Sequence, residues 1–480
     1  MRILLHFSTR QSSVHRARLE YAFRLFCAIY GHEPVIGDER YQCSDVTLTY
    51  TESAQPRDAV CLTNGYAVRP MYQPAPYPKE FAQNREKTVL FYGSSYGREP
   101  DWLAEIFEWV SCADEYSIRQ RDSVGRVPFA ASYVGRHDLD PGRPYAAVAM
   151  AFLQAAIARL KPQCWLKPRS PSPSAHHFLI NTHDVDFLPG RRADSCHQLA
   201  KNALISLLLY KSAKVAAAQL KAAMAVGLGA RDPLDQIPFL ADEERSQHAT
   251  ASYYFLCRKE HRRDSNYSID ESSTVSLMHS LEDGGQMEVG VHGSYRSMEQ
   301  PDGLAAEFDQ VRELGFHPIG GRQHWLRFTI PQLVRAVRRA GAAYDASVGW
   351  PNNPGYRAGA CFACPPYDFE QEAPAPFLEI PLVVMDRAAL GSQSNHGRGP
   401  EEVSEVLASS RRYGWGGISV LWHPTAFGGG QYPVALGDFF WNLLDSRTQR
   451  AETWSSAASF VGDVWQRYKD AGLLPERRVQ

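Results

Sequence analysis

Two aspartates, Asp184 and Asp186 of THDVD (182–186), stand two residues apart at the end of the apolar run FLINTH. On an extended backbone residues i and i+2 point to the same side, so both carboxylates can share one site. Adjacent carboxylates repel unless a cation or a proton lies between them. One can hold a metal while the other takes a proton from water. The competing reading is an Asx-type turn that closes a strand. His183 points the other way in this geometry and is read as packing. His292 leaves a second apolar run, MEVGVH (287–292), and enters the small polar turn GSYRS. A neutral imidazole placed there suits Zn²⁺ or a similar ion.

Such residues need a scaffold that brings strand ends together. β-rich runs recur at 178–183, 251–257, 287–292, 325–328 or the segment before it, 342–347, 379–385 and 418–423. Helical or loop stretches long enough for crossovers separate them. That alternation predicts an α/β fold with a parallel sheet, open or closed into a barrel. In a parallel barrel the C-terminal strand ends converge on one face, where the chemistry is done. Asp184, Asp186, His292, Arg322, Asp345 and His423 all fall at or near such ends.

The linker KPRSPSPSAHH (167–177) marks a boundary. Residues 1–166 before it predict a smaller α/β domain: a strand at 3–7, a helix at 15–30, β-rich runs at 45–51 and 88–93, and helices at 102–112 and 144–160. No motif in it ties to chemistry. Net charge is −2 over 480 residues, so there is no global electrostatic case for nucleic acid as a partner. Nine cysteines, an odd and scattered set, suit a reducing compartment. The start carries only a three-residue apolar run, and the expectation is a cytoplasmic chain. The stretch 203–229 holds Lys211, Lys214 and Lys221, which makes it a poor spanning helix. It is read as an amphipathic helix packed on the domain, with an interfacial membrane helix as the alternative.

Five segments in order resemble the motifs of the NodB-type polysaccharide deacetylases. THDVD is similar to the first motif, normally Thr-Phe-Asp-Asp, and EVGVHGSY to the second, normally His-Ser/Thr-x-x-His. RQHW (322–325), YDASVGW (344–350) and VLWH (420–423) resemble the remaining three. The likeness covers most of residues 175–430. It implies a distorted seven-stranded (β/α) barrel over 175–480 that removes acetyl groups from N-acetylated sugars with one divalent metal, zinc by expectation. By the same likeness Asp184 is the catalytic base, Arg322 orients it, and His423 is the general acid. Asp186 and His292 hold the metal. Tyr295, His324, Trp325, Asp345 and Trp422 are expected to meet a carbohydrate substrate. DWLAEIFEWVSCADEY (101–116) looks like the uncharacterised domain that precedes a bacterial subset of such proteins, a subset that also tends to carry DVD.

Two positions depart from the family pattern. Val185 stands where the metal aspartate is usual, and Arg296 where the second metal histidine is usual. Arginine cannot ligate a metal, so His324 completes the set only if its loop turns inward. A non-catalytic carbohydrate-binding or assembly protein is therefore the second reading, and a hydrolase of a small non-sugar amide the third. Trp350 and Tyr356 are further aromatic candidates for the proposed face. Cys361 and Cys364 form one C-x-x-C without a second pair, which is weak for zinc. Gly320 and Gly321 are read as a turn, and 428–430 as a mobile loop beside His423.

Overall fold

The computed structural model describes residues 1–7, 13–37, 44–50, 59–62, 101–172, 175–208, 211–389, 399–430, 434–447 and 450–476. The first four strands, β1 (Arg2–Phe7), β2 (Glu33–Ile36), β3 (Val46–Tyr50) and β4 (Ala59–Leu62), form a parallel sheet in the order β2-β1-β3-β4. The helix Ser13–Tyr30 returns the chain from β1 to β2, and its apolar face, with Leu19, Phe23 and Phe26 fully buried, joins the core. The helices Trp102–Val110 and Tyr145–Leu160 follow as expected. The β-rich run expected at 88–93 lies outside the described residues.

The remaining strands are β5 (His177–Val185), β6 (Ala251–Leu256), β7 (Met287–Gly293), β8 (Gly320–Gln323), β9 (Tyr344–Asp345), the short antiparallel pair β10 (Tyr367–Asp368) and β11 (Ala373–Pro374), then β12 (Leu378–Glu379), β13 (Leu382–Met385), β14 (Gly416–Leu421) and β15 (Glu452–Ser455). The large sheet runs β12-β9-β8-β7-β6-β5-β14-β13, with β15 alongside the first half of β5. Every pairing in it is parallel. Gly349, beyond β9, makes a parallel bridge to Leu382 of β13, so the curled sheet turns back toward its own start. Only Ile380 and Pro381 separate β12 from β13. Counted as one interrupted strand they leave seven on the path, and counted apart eight. The architecture is α/β with a TIM-like parallel sheet.

All nine residues of β5 are buried, as expected for a strand covered on both faces. Its polar members are paired: Thr182 Oγ1–H donates to the Val420 carbonyl at 2.7 Å, and His183 lies between the Trp422 carbonyl at 2.6 Å and Glu244 at 2.8 Å. One hydrophobic cluster spans β1, the early helices and the large sheet. Across it the Arg357 guanidinium grips the Glu115 carboxylate with two hydrogen bonds, at 2.7 and 2.6 Å, both side chains buried.

Two expectations need correction. Gly320 and Gly321 are not a turn but part of β8, so of the two segments expected for the fourth strand it is the one before WLRF that enters the sheet. The glycines are there for close approach, since a Cβ on Gly321 would sit 1.8 Å from the Val291 carbonyl oxygen. The stretch 203–229 is not one helix but parts of two, Arg192–Leu208 and Ala213–Gly227, packed as a hairpin; Lys211 at φ +51 breaks them and Ser212 caps the second. No helix among the described residues is long and apolar enough to cross a membrane. In the glycine loop after His423 the Gly430 carbonyl accepts a hydrogen bond from Asn202 at 3.0 Å.

Candidate metal centre

Parallel neighbours in register set the site. His292 lies near the end of β7 opposite Arg322 of β8, while Asp184 is the penultimate residue of β5 with Asp186 just beyond the strand. The side chains of Asp184, Asp186, His292, Arg322, His324 and His423 converge.

Arg322 is fully enclosed. Its guanidinium donates to Asp184 Oδ1 at 2.8 Å, to Thr182 Oγ1 at 2.9 Å and to the Ala346 carbonyl at 2.7 Å, and packs over the Tyr254 ring. Burial works to raise the Asp184 carboxyl, but Arg322, with His292 and His423, overcomes it and holds Asp184 below the ordinary carboxylate range. The other Asp184 oxygen, Oδ2, lies 3.5 Å from His292 Nε2.

The two inner histidines have their tautomers set by backbone carbonyls, which only accept hydrogen bonds. His292 Nδ1–H donates to the Arg322 carbonyl at 2.9 Å, and His324 Nε2–H to the Arg263 carbonyl at 2.7 Å. The nitrogens left over, His292 Nε2 and His324 Nδ1, face each other at 3.0 Å. With both outer nitrogens protonated, two neutral rings would point lone pair at lone pair. Asp186 Oδ1 lies 3.3 Å from each of these nitrogens, is buried, and accepts no hydrogen bond that meets ordinary geometry among the described residues. The three ligand atoms lie within 4.8 Å of one another. Such a set fits a divalent cation, with histidines oriented by carbonyls as in metal sites generally. In the cation's absence burial would lower the His292 imidazole, but Asp184 and Asp186 raise it above its ordinary value. Burial likewise opposes ionisation of Asp186, and His324, His292 and His423 hold it well below the usual range.

A strained turn swings His324 inward. Trp325 and Leu326 both have left-handed φ, +61° and +50°, which a bulky residue adopts at a cost of about 1–3 kcal/mol. The turn sends the Trp325 ring outward, 40% exposed, with the Arg263 guanidinium 5.1 Å from its centre. Arg296 lies in solvent beside Glu299, far from a ligand role, and Val185 is buried in the core.

His423 follows β14. Its Nδ1–H and its backbone N–H both donate to Asp386 Oδ2 at 2.8 Å, and its Nε2 lies 3.6 Å from Asp186 Oδ2. Burial opposes the charge, but Asp386 above all, then Asp186 and Asp184, push the imidazole up to about 10. Asp386 was not among the residues expected at the site. It directly follows the β-rich run of β13, the same signal that marks Asp184 and Asp186.

Beside these groups opens a cleft of about 730 Å³. Asp186, His324 and Trp325 line it, as do Lys201, Asn202 and Ile205 of the helix Arg192–Leu208. Tyr295 is set behind, its hydroxyl accepting from Arg263 at 2.9 Å. Asp345 is enclosed, bound to Ser347 and facing Glu379, so its carboxyl does not reach the cleft. Trp422 is fully buried against Phe439 and Phe440 with its Nε1–H on the Leu436 carbonyl, and Tyr356 and Trp350 are buried as well. These rings are occupied by packing. Cys361 and Cys364 are free, buried thiols whose titration burial pushes up.

No protein-family model matches the chain, and neither does any curated protein. A solved structure with a partial likeness is the 4-alpha-glucanotransferase from Thermococcus litoralis, at 13% identity over 60% of this chain and with a TM-score of 0.35. The matched part spans 40% of that protein. The likeness is too loose to bear on function.

Proposed function

We propose that the chain is a metal-dependent hydrolase that removes acyl groups, acetyl foremost, from amino-sugar residues of a bacterial polysaccharide or its precursor. The observation that carries this reading is the pair of imidazoles locked by carbonyls with their free nitrogens 3.0 Å apart beside Asp186. A cation resolves that arrangement and uses all three ligand atoms. Order and spacing of the five motifs supply the substrate class, and the barrel boundary at 175–480 goes with them.

Asp186, His292 and His324 would hold the ion, zinc by the nature of the ligands. When bound it supplies Lewis-acid polarisation of the acyl carbonyl. The chain's own groups handle the protons. Asp184, kept ionised by Arg322, accepts the proton of the attacking water. The C–O bond forms, the C–N bond breaks, and His423, kept protonated by Asp386, gives its Nε2 proton to the leaving amine. The products are a carboxylic acid and a free amine. Trp325 offers an exposed ring on which a sugar face can stack, and the cleft has room for more than one residue.

The test is acetate release from a panel of N-acetylated oligosaccharides by protein stripped of metal and then reloaded with Zn²⁺. Release that depends on the ion supports the reading. Folded, metal-loaded protein that binds the oligosaccharides and releases nothing would instead favour the non-catalytic binding protein.

A further inference from the structure

The hairpin of helices Arg192–Leu208 and Ala213–Gly227 carries an uncovered apolar surface that the site does not use. Of the eleven large apolar side chains exposed among the described residues, six lie on it: Leu204, Leu207, Leu208, Leu220, Met224 and Leu228, between 49% and 90% exposed. They are not scattered. Leu204, Leu207 and Leu208 follow i, i+3, i+4 on the first helix, and Leu220, Met224 and Leu228 follow i, i+4, i+8 along the second, so each helix bears one outward stripe. The inward faces are already satisfied. Leu199 and Val226 pack with Leu234 in a small core of their own, and Cys196 Sγ–H reaches the Ala223 carbonyl at 3.2 Å.

Past Asp194, in the first turn of the first helix, the charge along the hairpin has one sign. From Ser195 to Arg231 the sequence contains no aspartate or glutamate, and it contains Lys201, Lys211, Lys214, Lys221 and Arg231. All four lysines are exposed. Apolar stripes flanked by lysines and free of acids match an anionic lipid surface, where the side chains enter the headgroup boundary and the lysines meet phosphate. A contiguous exposed apolar patch otherwise marks a protein interface, but a second copy of this chain would have to set the same lysines against each other.

We propose that this hairpin docks the protein on an anionic membrane surface. The first helix also supplies Lys201, Asn202 and Ile205 to the cleft wall, so docking brings the cleft mouth next to the lipid headgroups.

The experiment is cosedimentation of the full chain with phosphatidylcholine vesicles, with and without phosphatidylglycerol, at low and high salt. Binding is expected only to the phosphatidylglycerol vesicles and is expected to weaken with salt. Lys214→Gln with Lys221→Gln should weaken it by about thirtyfold, a little over fivefold per charge. Leu220→Glu with Met224→Glu should abolish it, while thermal unfolding and metal content stay at the parent's values because these side chains face solvent. Absence of binding to either vesicle, or equal binding to both, overturns the proposal. So does a concentration-dependent dimer in sedimentation velocity that the Leu220→Glu, Met224→Glu protein no longer forms.

Discussion

Replacing Asp386 with asparagine isolates the group that keeps His423 charged. The Asp386 side chain is wholly buried and its Oδ2 accepts two hydrogen bonds from His423, each 2.8 Å long. Asparagine keeps an acceptor for both and removes the charge, though its amide nitrogen then faces the Arg387 N–H that Asp386 Oδ1 accepts at 2.5 Å. An opposite charge at this distance moves a pKa by about 1–3, which is about 1.4–4 kcal/mol. His423 in the parent is raised to about 10 from an ordinary 6.5, so the variant should titrate about 1–3 lower. The sign for stability follows. A group raised on folding contributes fully below its unfolded value, and the contribution fades as pH climbs through the folded value. Asp386→Asn should therefore be less stable than the parent by about 1.4–4 kcal/mol below pH 6.5. The two should converge above about pH 10. Urea unfolding across pH and ¹⁵N imidazole titration read the two quantities separately. An unmoved His423 titration, with the ring still in place, would refute the assignment of Asp386 as its counter-ion.

Other perturbations test the neighbouring parts. Arg322→Gln strands the buried Asp184 carboxylate and should cost about 3–5 kcal/mol at neutral pH. Because the Asp184 carboxyl is lowered on folding, that cost should shrink as pH falls below 3.8, as urea titration would show. Gly321→Ala drives a methyl group into the Val291 carbonyl at 1.8 Å; unfolding measurements should give a loss above about 3 kcal/mol, with metal affinity falling as β7 and β8 part. Trp325→Gly relieves the left-handed φ of +61°, worth about 1 kcal/mol, but gives up the packing of a ring only 40% exposed, so unfolding measurements should show no net gain in stability. The same change should raise KM for oligosaccharides with little effect on kcat, since the stacking ring is lost and the proton-handling groups are untouched.

The strands that sequence reveals best are β5, β6, β7 and β14, because strands buried on both faces read as continuous apolar runs. Their ends carry Asp184, Asp186, His292 and His423, and so four of the six converging side chains are legible directly. β8 is not, since Gly-Gly-Arg-Gln has no apolar residue. Its place depends on the close approach of Gly321 to β7, which no propensity reports. The inward turn of His324 rests on two bulky residues in the left-handed region, a conformation that sequence argues against. Asp386 carried the same strand-end signal as Asp184, yet its role depends on β13 lying next to β14, a matter of topology. Asp345 and Trp422 also stand at strand ends, but their side chains turn to Ser347 and to the aromatic packing of Phe439 and Phe440 instead of the cleft.

Asp186, His292 and His324 form the proposed metal site, although Arg296 stands where the deacetylase resemblance expects a second histidine. Elemental analysis of the purified protein after zinc loading and desalting tests it most directly. The expected result is about one ion per chain, lost in His292→Ala and in His324→Ala and retained in Arg296→Ala. A parent protein that holds no ion, or a His324→Ala protein that holds as much as the parent, would contradict it.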